Sequence, residues 1–160
     1  MGERIIGVIS DTHGLLRPEA LAALAGAELI IHAGDVGSPE VLVGLGAVAP
    51  VVAVRGNNDR NTWARALPTT EVVAVLGLSL YVLHDLNDLD LDPRAAGFRA
   101  VIAGHSHRPL IEERDGVLFL NPGSAGPRRF TLPTTLARLR VGQGHLVAHI
   151  VHLTPTEASR

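Results

Sequence analysis

Polar side chains that can bind metal ions occur in five clusters along the chain, and each cluster follows a short apolar segment. The clusters read Asp11-Thr12-His13, Gly34-Asp35, Gly56-Asn57-Asn58-Asp59, His84-Asp85 and Gly104-His105-Ser106-His107. Their carboxylate, amide and imidazole groups suit a borderline divalent cation such as Mn²⁺, Fe²⁺, Zn²⁺ or Ni²⁺. A single Asp or His at a strand end is more often a hydrogen-bonded turn residue. Five such clusters in succession favour a metal site instead.

The apolar segments in front of these clusters predict strands. In the first half of the chain, strands at 4–10, 28–32 and 51–54 alternate with helices at 18–25 and from Ser38 to about residue 45. This alternation predicts right-handed crossovers and a parallel sheet. In open sheets of this kind, ligands bind beyond the carboxyl ends of the strands, where the polar clusters begin.

The second half of the chain has the pattern of β-hairpins. Segments 71–76 and 79–84 flank Gly77-Leu78, segments 110–114 and 117–120 flank Asp115-Gly116, and segments 134–141 and 145–153 flank Gly142-Gln143-Gly144. The Asp-Gly pair is a strong signal for a two-residue hairpin turn. With a further strand at 100–103, we expect two packed sheets, one mostly parallel and one mostly antiparallel, with helices outside, in a single domain of residues 1–160.

The composition excludes several classes of function. The chain has 160 residues, of which 46% are hydrophobic and 3% aromatic, and it contains no Cys, so disulfides, Cys-ligated zinc and thiol nucleophiles are ruled out. A formal net charge of −2 gives no strong signal for binding to nucleic acid or to an anionic membrane. The longest uncharged run, residues 41–54, is shorter than the roughly 20 residues that a membrane span needs. With no secretory signal pattern, we expect a cytoplasmic protein.

The order of the motifs, D-x-H, G-D, G-N-x-D, H and G-H-x-H, resembles the calcineurin-like metallophosphoesterase superfamily. The short chain and the segment Asn121-Pro122-Gly123-Ser124 resemble its small prokaryotic phosphodiesterases of the YfcE type. The resemblance implies an α/β fold, a four-layer α/β/β/α sandwich of two mixed β-sheets flanked by helices. It also implies two divalent metal ions, with Mn²⁺ the first choice and Fe²⁺, Ni²⁺ or Zn²⁺ as alternatives.

The resemblance further implies which residues bind these ions. One ion would be bound by Asp11, His13, Asp35 and His107, and the other by Asp35, Asn57, His84 and His105. Asp35 would then bridge the two ions, and a hydroxide between them would attack a phosphodiester. The candidate catalytic residues are Asp35, Asn58 and His105.

The sequence departs from the family pattern at two positions. Asn58 occupies the place where many members have a His that contacts phosphate or assists the leaving group. An amide cannot transfer a proton, but it can donate a hydrogen bond to a phosphoryl oxygen. Asp85 follows His84 where members often have Gly, which affects the expected loop geometry but not His84 as a ligand.

The expected partner is a small phosphate ester, and the sequence leaves a homo-oligomer open. A phosphomonoesterase or nucleotide hydrolase on the same centre is an alternative, as is a non-catalytic protein-binding scaffold, because a eukaryotic retromer subunit resembles this fold. We expect loops 60–70, 85–99 and 125–133 to determine the substrate. The acidic residues Asp85, Asp88, Asp90 and Asp92 predict a solvated loop that disfavours polyanions where it borders the pocket.

Overall fold

Ten strands form two five-stranded sheets in the computed structural model, which describes residues 2–129 and 131–153. Phe130, in a predicted substrate loop, and residues 154–160 of the predicted domain lie outside the described residues. The strands are β1 (Arg4–Ile9), β2 (Leu29–His32), β3 (Val51–Ala53), β4 (Thr70–Val75), β5 (Leu78–Leu83), β6 (Phe98–Ile102), β7 (Leu110–Arg114), β8 (Val117–Asn121), β9 (Thr135–Gly142) and β10 (His145–His152). The helices are α1 (Pro18–Ala23) and α2 (Pro39–Gly46), with 3₁₀ helices at Thr62–Ala66 and Leu86–Asp88.

Both sheets are mixed, and each contains three neighbouring parallel strands. The first sheet has the order β10-β9-β1-β2-β3, in which β1, β2 and β3 are parallel and the β9–β10 hairpin is antiparallel to β1. The second sheet has the order β4-β5-β6-β8-β7, in which β5, β6 and β8 are parallel and both edge strands are antiparallel. The expectation of one mostly parallel and one mostly antiparallel sheet was therefore wrong, because the last hairpin joins the first sheet through β1.

The main core lies between the two sheets. Ile31 and Leu139 of the first sheet belong to the same buried cluster as Leu80 and Ile102 of the second. Such β-branched and leucine side chains fit a pleated surface, and facing sheets bury one side of each strand. Packing between the sheets fixes the relative position of the strand ends that carry the polar clusters.

The outer layers of the two sheets differ. Helices α1 and α2 cover the first sheet, where Leu24 and Leu45 are fully buried against Ile30. Helix α1 has Pro18 at its first position and is followed by Gly26 at a φ of +86°, as the sequence predicted. The outer face of the second sheet is covered by the segment between β5 and β6, which forms a 3₁₀ helix and turns among the described residues. No helix in the described ranges has the length and apolar character to cross a membrane.

Two of the three hairpin turns differ from the predicted position. Asp115-Gly116 is the predicted two-residue turn, with φ of +52° and +79°. The β4–β5 turn is Leu76-Gly77, one residue earlier than expected, because this type of turn needs a positive φ at both central residues and Gly77 takes the second place. In the last hairpin Gly142 belongs to β9, since it pairs with His145.

Candidate metal centre

The polar clusters meet at one end of the molecule, where the parallel strands of both sheets finish. Asp11, Asp35 and Asn57 follow β1, β2 and β3 of the first sheet, and His84 and His105 follow β5 and β6 of the second. Because carboxyl ends of parallel strands share an edge, two facing sheets bring two sets of loops together there. The site is thus built from segments distant in sequence.

The backbone at this end is strained. Positive φ angles occur at Asp11 (+55°), His13 (+47°), Asp35 (+56°), His105 (+72°) and His107 (+64°). This left-handed region is uncommon for residues other than Gly, and each such residue costs free energy that the surrounding structure must offset. Such residues cluster at functional sites, and here five of the seven predicted metal ligands adopt the conformation.

Asp11 is fully buried, and its two carboxylate oxygens have different surroundings. Oδ2 accepts hydrogen bonds from the Ser10 hydroxyl at 2.7 Å and from the His105 amide at 3.0 Å. Oδ1 is buried without a hydrogen-bond donor among the described residues, and it lies 3.3 Å from Nε2 of His107 and 3.9 Å from Nε2 of His13. Oδ1 is therefore free to bind a cation.

Asp35 is held in place by Asn58. The backbone amide of Asn58 donates to Oδ1 of Asp35 at 2.9 Å, and its side-chain amide donates to Oδ2 at 3.0 Å. Oδ2 also lies 3.4 Å from Nε2 of His84 and 3.7 Å from Nε2 of His13. The carboxylate thus stands between imidazoles of both predicted ligand sets, in the place expected of a bridge.

The orientation of His84 is set by the backbone. Its Nδ1 donates to the carbonyl of Ala33 at 2.7 Å, which leaves Nε2 directed at the carboxylates. A hydrogen bond of this kind fixes the tautomer of a metal-binding imidazole. Nδ1 of His105 lies 3.3 Å from this Nε2 and 3.2 Å from Oδ1 of Asn57. The second predicted ligand set therefore converges as well.

The ionisation of these groups shows that the centre favours positive charge. Burial alone would lower the pKa of His84, but the hydrogen bond to Asp35 and the charge of Asp11 raise it to about 9. Burial alone would raise the pKa of Asp35, but its contacts with His84 and Asn58 hold that pKa well below its usual range. The pKa of Asp11 is also lowered, by His107 and Ser10 against the effect of burial. The two carboxylates thus favour a positive charge beside them.

The donor atoms fit divalent metal ions. The liganding atoms of Asp11, His13 and His107 lie within 4.8 Å of one another, and so do those of Asp11, Asp35 and His84. Buried Nε2 of His13 has no hydrogen-bond partner in the described part of the chain, as is also true of Oδ1 of Asp11. Carboxylate and imidazole donors of this kind suit Mn²⁺, Fe²⁺, Zn²⁺ and Ni²⁺. Asp11 belongs to both of these groups, whereas the predicted bridge Asp35 belongs only to the second.

Several residues that the sequence did not assign hold the ligand loops. Asp59 is buried, and its carboxylate accepts hydrogen bonds from the amides of Val36 at 3.1 Å, Gly37 at 3.0 Å and Gly56 at 2.9 Å. It therefore joins the loop of Asp35 to the loop that carries Asn57 and Asn58. The sequence shows Asp59 as a member of the third polar cluster. It does not show its three donors, because they come from two different loops.

His32 is fully buried and supports the loop after β1. Its Nδ1 accepts from the Gly34 amide at 3.1 Å, so Nε2 carries the proton and donates to the Thr12 hydroxyl at 3.0 Å. The hydroxyl in turn donates to the Val36 carbonyl at 2.8 Å. Complete burial lowers the pKa of His32 to about 4, so the ring is neutral.

Asn121 and Ser124 bind the backbone next to the ligands. The Asn121 amide donates to the Gly104 carbonyl at 3.0 Å, and the Ser124 hydroxyl donates to the Asp11 carbonyl at 3.0 Å. Gly104 has no space for a side chain, because a Cβ atom there would overlap the Ser10 hydroxyl and crowd the Asp11 carboxylate. The second sheet thus approaches Asp11 closely only because of this glycine.

The structure brings all seven predicted metal ligands together. Asn58 lies beside them, but its side-chain amide binds Asp35, so its contact with a phosphoryl oxygen stays a prediction. Asp85, the other departure from the family pattern, begins the 3₁₀ helix by accepting from the Asn87 amide at 3.0 Å. His145 and His149 lie on β10, away from these ligands in the sequence, and both are exposed.

Comparison with known proteins identifies the family. Residues 5–144 match the calcineurin-like phosphoesterase superfamily domain. A probable metallophosphoesterase of Methanothermobacter thermautotrophicus is 36% identical over 159 residues, which cover 92% of this chain and 91% of that protein. The chain belongs to the calcineurin-like phosphoesterase superfamily. The resemblance seen in the sequence is confirmed, as are a hydrolase class and a dependence on metal at the level of this family.

Solved structures confirm the fold class of this phosphoesterase. An archaeal phosphodiesterase superposes with a TM-score of 0.76 and 26% identity, covering 92% of this chain and 99% of that chain. Vps29 of Chaetomium thermophilum superposes with a TM-score of 0.82 and 21% identity, covering 98% of this chain and 92% of that chain. The two sheets and their helical layer are therefore the calcineurin-like fold.

Proposed function

We propose that this protein is a phosphodiesterase that works with two divalent metal ions, Mn²⁺ in the first place, on small phosphate esters. The observation that carries the proposal is the pair of buried carboxylates. Asp11 and Asp35 each direct an oxygen at imidazole nitrogens 3.3 to 3.9 Å away, and Oδ1 of Asp11 accepts no hydrogen bond from the described residues. Carboxylates buried in this way need a cation beside them.

The proposed ligand sets follow the family pattern. Asp11, His13, Asp35 and His107 hold one ion, and Asp35, Asn57, His84 and His105 hold the other. When bound, such a pair of ions supplies a hydroxide nucleophile and positive charge beside the phosphoryl group.

The side chains around the centre have separate tasks. Asn58 keeps the Asp35 carboxylate oriented through two hydrogen bonds, at 2.9 and 3.0 Å. His105 is exposed at the mouth of the site, and its Nε2 lies 3.6 Å from Oδ2 of Asp85, so this carboxylate helps to orient the ring. We assign His105 both to metal binding and to the wall that a substrate meets.

One observation favours diester hydrolysis, and another disfavours a protein-binding scaffold. The archaeal protein of the same fold, 26% identical, is itself a phosphodiesterase. A protein-binding scaffold is the second candidate, since Vps29 shares the fold. A scaffold does not need a complete ligand set, however, whereas all seven donors are present here and five of them have a strained backbone. Retaining this strain suits catalysis better than surface recognition.

Metal content and activity together test the proposal. Protein reconstituted with Mn²⁺ should bind about two ions per chain by elemental analysis, hydrolyse bis-p-nitrophenyl phosphate and lose this activity with a chelator. The Asp35→Asn variant should weaken both metal sites, whereas Asp115→Asn, which removes the same charge from an exposed turn, should weaken neither. If the ions bind but no diester, monoester or nucleotide is hydrolysed, the scaffold becomes the better explanation.

A further inference from the structure

An apolar cavity lies next to the candidate metal centre, on the outer side of the second sheet. Its volume is about 410 Å³, within the range of roughly 300–1,000 Å³ that is usual for small-molecule sites. We call it the apolar subsite, and its lining includes Leu86, Val101, Ala103, Leu110, Phe119 and His105. The first five of these side chains offer only carbon atoms to an occupant.

The polar groups in the lining are mostly engaged with the protein. The side-chain nitrogen of Asn121 donates to the Gly104 carbonyl at 3.0 Å and lies 3.1 Å from the Ser106 hydroxyl, while its oxygen accepts from the Gly123 amide at 2.8 Å. The charged side chains of the lining are one carboxylate, Asp85, and one guanidinium, Arg108, so the subsite has no net charge. These surroundings favour an uncharged apolar group.

The subsite is continuous with the metal centre through His105. One ring nitrogen of His105 lies 3.2 Å from Oδ1 of Asn57 and 3.3 Å from Nε2 of His84, both predicted ligands. The other lies 3.6 Å from Oδ2 of Asp85. The ring therefore borders the centre on one side and the subsite on the other, and a group attached to a phosphoryl bound at the centre reaches the subsite directly.

A second cavity, of about 570 Å³, lies on the other side of Asp85 and differs in charge. Its charged lining consists of Arg55 and three carboxylates, those of Asp85, Asp88 and Asp90, besides His84 of the centre. An additional phosphate group on the substrate would meet this negative charge. The two cavities together disfavour polyphosphates and favour a substrate with a single phosphate.

We propose that the apolar subsite binds an uncharged aromatic or branched aliphatic ester group, so that the substrate is a phosphodiester with one such group and no further phosphate. This inference rests on the proposed function, which places the phosphoryl group at the metal centre. It assigns Leu110 and Ala103 as specificity-determining residues, because one lines the rim and the other the buried wall of the subsite.

A pair of phosphonates tests this subsite by binding rather than by turnover. Phenylphosphonate and methylphosphonate carry the same anionic group on a P–C bond that ester hydrolysis does not cleave, and they differ only in the apolar group. Titration calorimetry on Mn²⁺-loaded protein should show that phenylphosphonate binds at least about tenfold more tightly, since even one methylene in an apolar pocket changes affinity about tenfold or more.

Two variants and a matched control locate the effect. Leu110→Asn keeps the size of the side chain but makes the rim polar, and Ala103→Leu fills the cavity, so each should lower the phenyl-to-methyl affinity ratio several-fold. Ile111→Asn makes the same kind of change at the next position of β7, whose side chain points to the opposite face, and should leave the ratio unchanged. Leu110 and Ile111 are 36% and 44% exposed, so neither change disturbs the core.

The outcomes separate this inference from the proposed function. The apolar subsite would be overturned by any of three results. These are a phenyl-to-methyl affinity ratio near one in the wild type, a ratio that falls equally in the Ile111→Asn control, and binding of neither phosphonate. Hydrolysis of bis-p-nitrophenyl phosphate is measured in parallel. If that hydrolysis is absent, the proposed function fails, whatever the phosphonates show. If it is present and the ratio is near one, only the subsite is refuted.

Discussion

A conservative substitution of Asp59 should destabilise the loops around the candidate metal centre strongly. Its side chain is 5% exposed, and it accepts three backbone hydrogen bonds, at 2.9 to 3.1 Å, from the amides of Val36, Gly37 and Gly56. The Asp59→Asn variant keeps the shape of the side chain but removes its charge. It also turns one acceptor oxygen into a donor nitrogen. At least one of the three amides must then lose its acceptor.

The size of the effect follows from these contacts. A hydrogen bond to a charged group contributes about 1.5–3 kcal/mol and one to a neutral group about 0.5–1.5 kcal/mol, so two weakened bonds cost about 2 kcal/mol. The amide left facing a donor costs a further 1–3 kcal/mol or so. Relief from burying a charge offsets part of this. We expect the free energy of unfolding to fall by about 3 kcal/mol.

Urea denaturation in the presence of a chelator measures this loss without any contribution from bound metal. With a urea m-value of about 1–3 kcal/mol/M, the midpoint should shift downwards by roughly 1–3 M while m stays constant. Asp115→Asn is the matched control, because Asp115 is exposed and Asn also suits its turn, and it should change stability by less than about 0.5 kcal/mol. A loss below about 1 kcal/mol in Asp59→Asn would refute the reasoning, since the three amides would then have other acceptors.

Three further predictions concern acid stability, metal binding and the leaving group. The pKa of His32 is lowered to about 4 in the folded protein from an ordinary 6.5, so on acidification the unfolded chain binds this proton before the folded protein does. The free energy of unfolding, measured with urea, should therefore fall by about 3 kcal/mol between pH 6.5 and 4. Below pH 4, His32 should cause no further loss. The pKa of His84 is raised to about 9, and a ligand imidazole must be neutral, so Mn²⁺ affinity should rise with pH up to about 9. Calorimetry in buffers of different ionisation enthalpy should detect the released proton, and an affinity independent of pH between 7 and 9 would contradict this prediction. The Asn58→His variant, assayed at matched metal content, should speed hydrolysis of an alkyl ester relative to an aryl ester by up to about 10²-fold. The reason is that only the alkyl leaving group needs a proton. An unchanged ratio of the two rates would show that residue 58 does not assist the leaving group.

The strands could be predicted well because their signal is local. The run that forms β1 is β-branched and buried, and it was predicted within one residue of its observed end. The turn at Asp115-Gly116 was also correct, since an Asp-Gly pair specifies its own geometry. The turn at Leu76-Gly77 was misplaced by one residue because a single glycine fits either register. Leu76 accepts a positive φ only in the context of the paired strands.

The pairing of the sheets could not be predicted in the same way. Whether the last hairpin extends the first or the second sheet depends on the contact of β9 with β1, at opposite ends of the chain. No pattern within either strand specifies that partner, because the mostly buried residues of β1 and β9 would suit more than one neighbouring strand. For this reason, the prediction of one mostly parallel and one mostly antiparallel sheet was wrong.

In the candidate site, too, local features could be predicted from the sequence and contacts between distant segments could not. Each predicted metal ligand belongs to a cluster that follows a strand, so the clusters could be found in the sequence alone. The contact of Asn58 with Asp35 joins loops of two different strands, and the approach of Gly104 to Ser10 joins the two sheets. Such contacts depend on the packing distance between elements. Local sequence does not contain that distance.

The supporting contacts hold the predicted metal-binding atoms in place. Oδ2 of Asp11 accepts a hydrogen bond from the Ser10 hydroxyl, and the Asp35 carboxylate accepts one from the Asn58 amide. The ring of His84 is held by a backbone carbonyl. All of these bonds are made between groups of the protein. The atoms left unsatisfied, above all Oδ1 of Asp11, are those that face the centre of the site. We therefore expect the packing of the two sheets to offset part of the cost of the strained backbone at the predicted ligands.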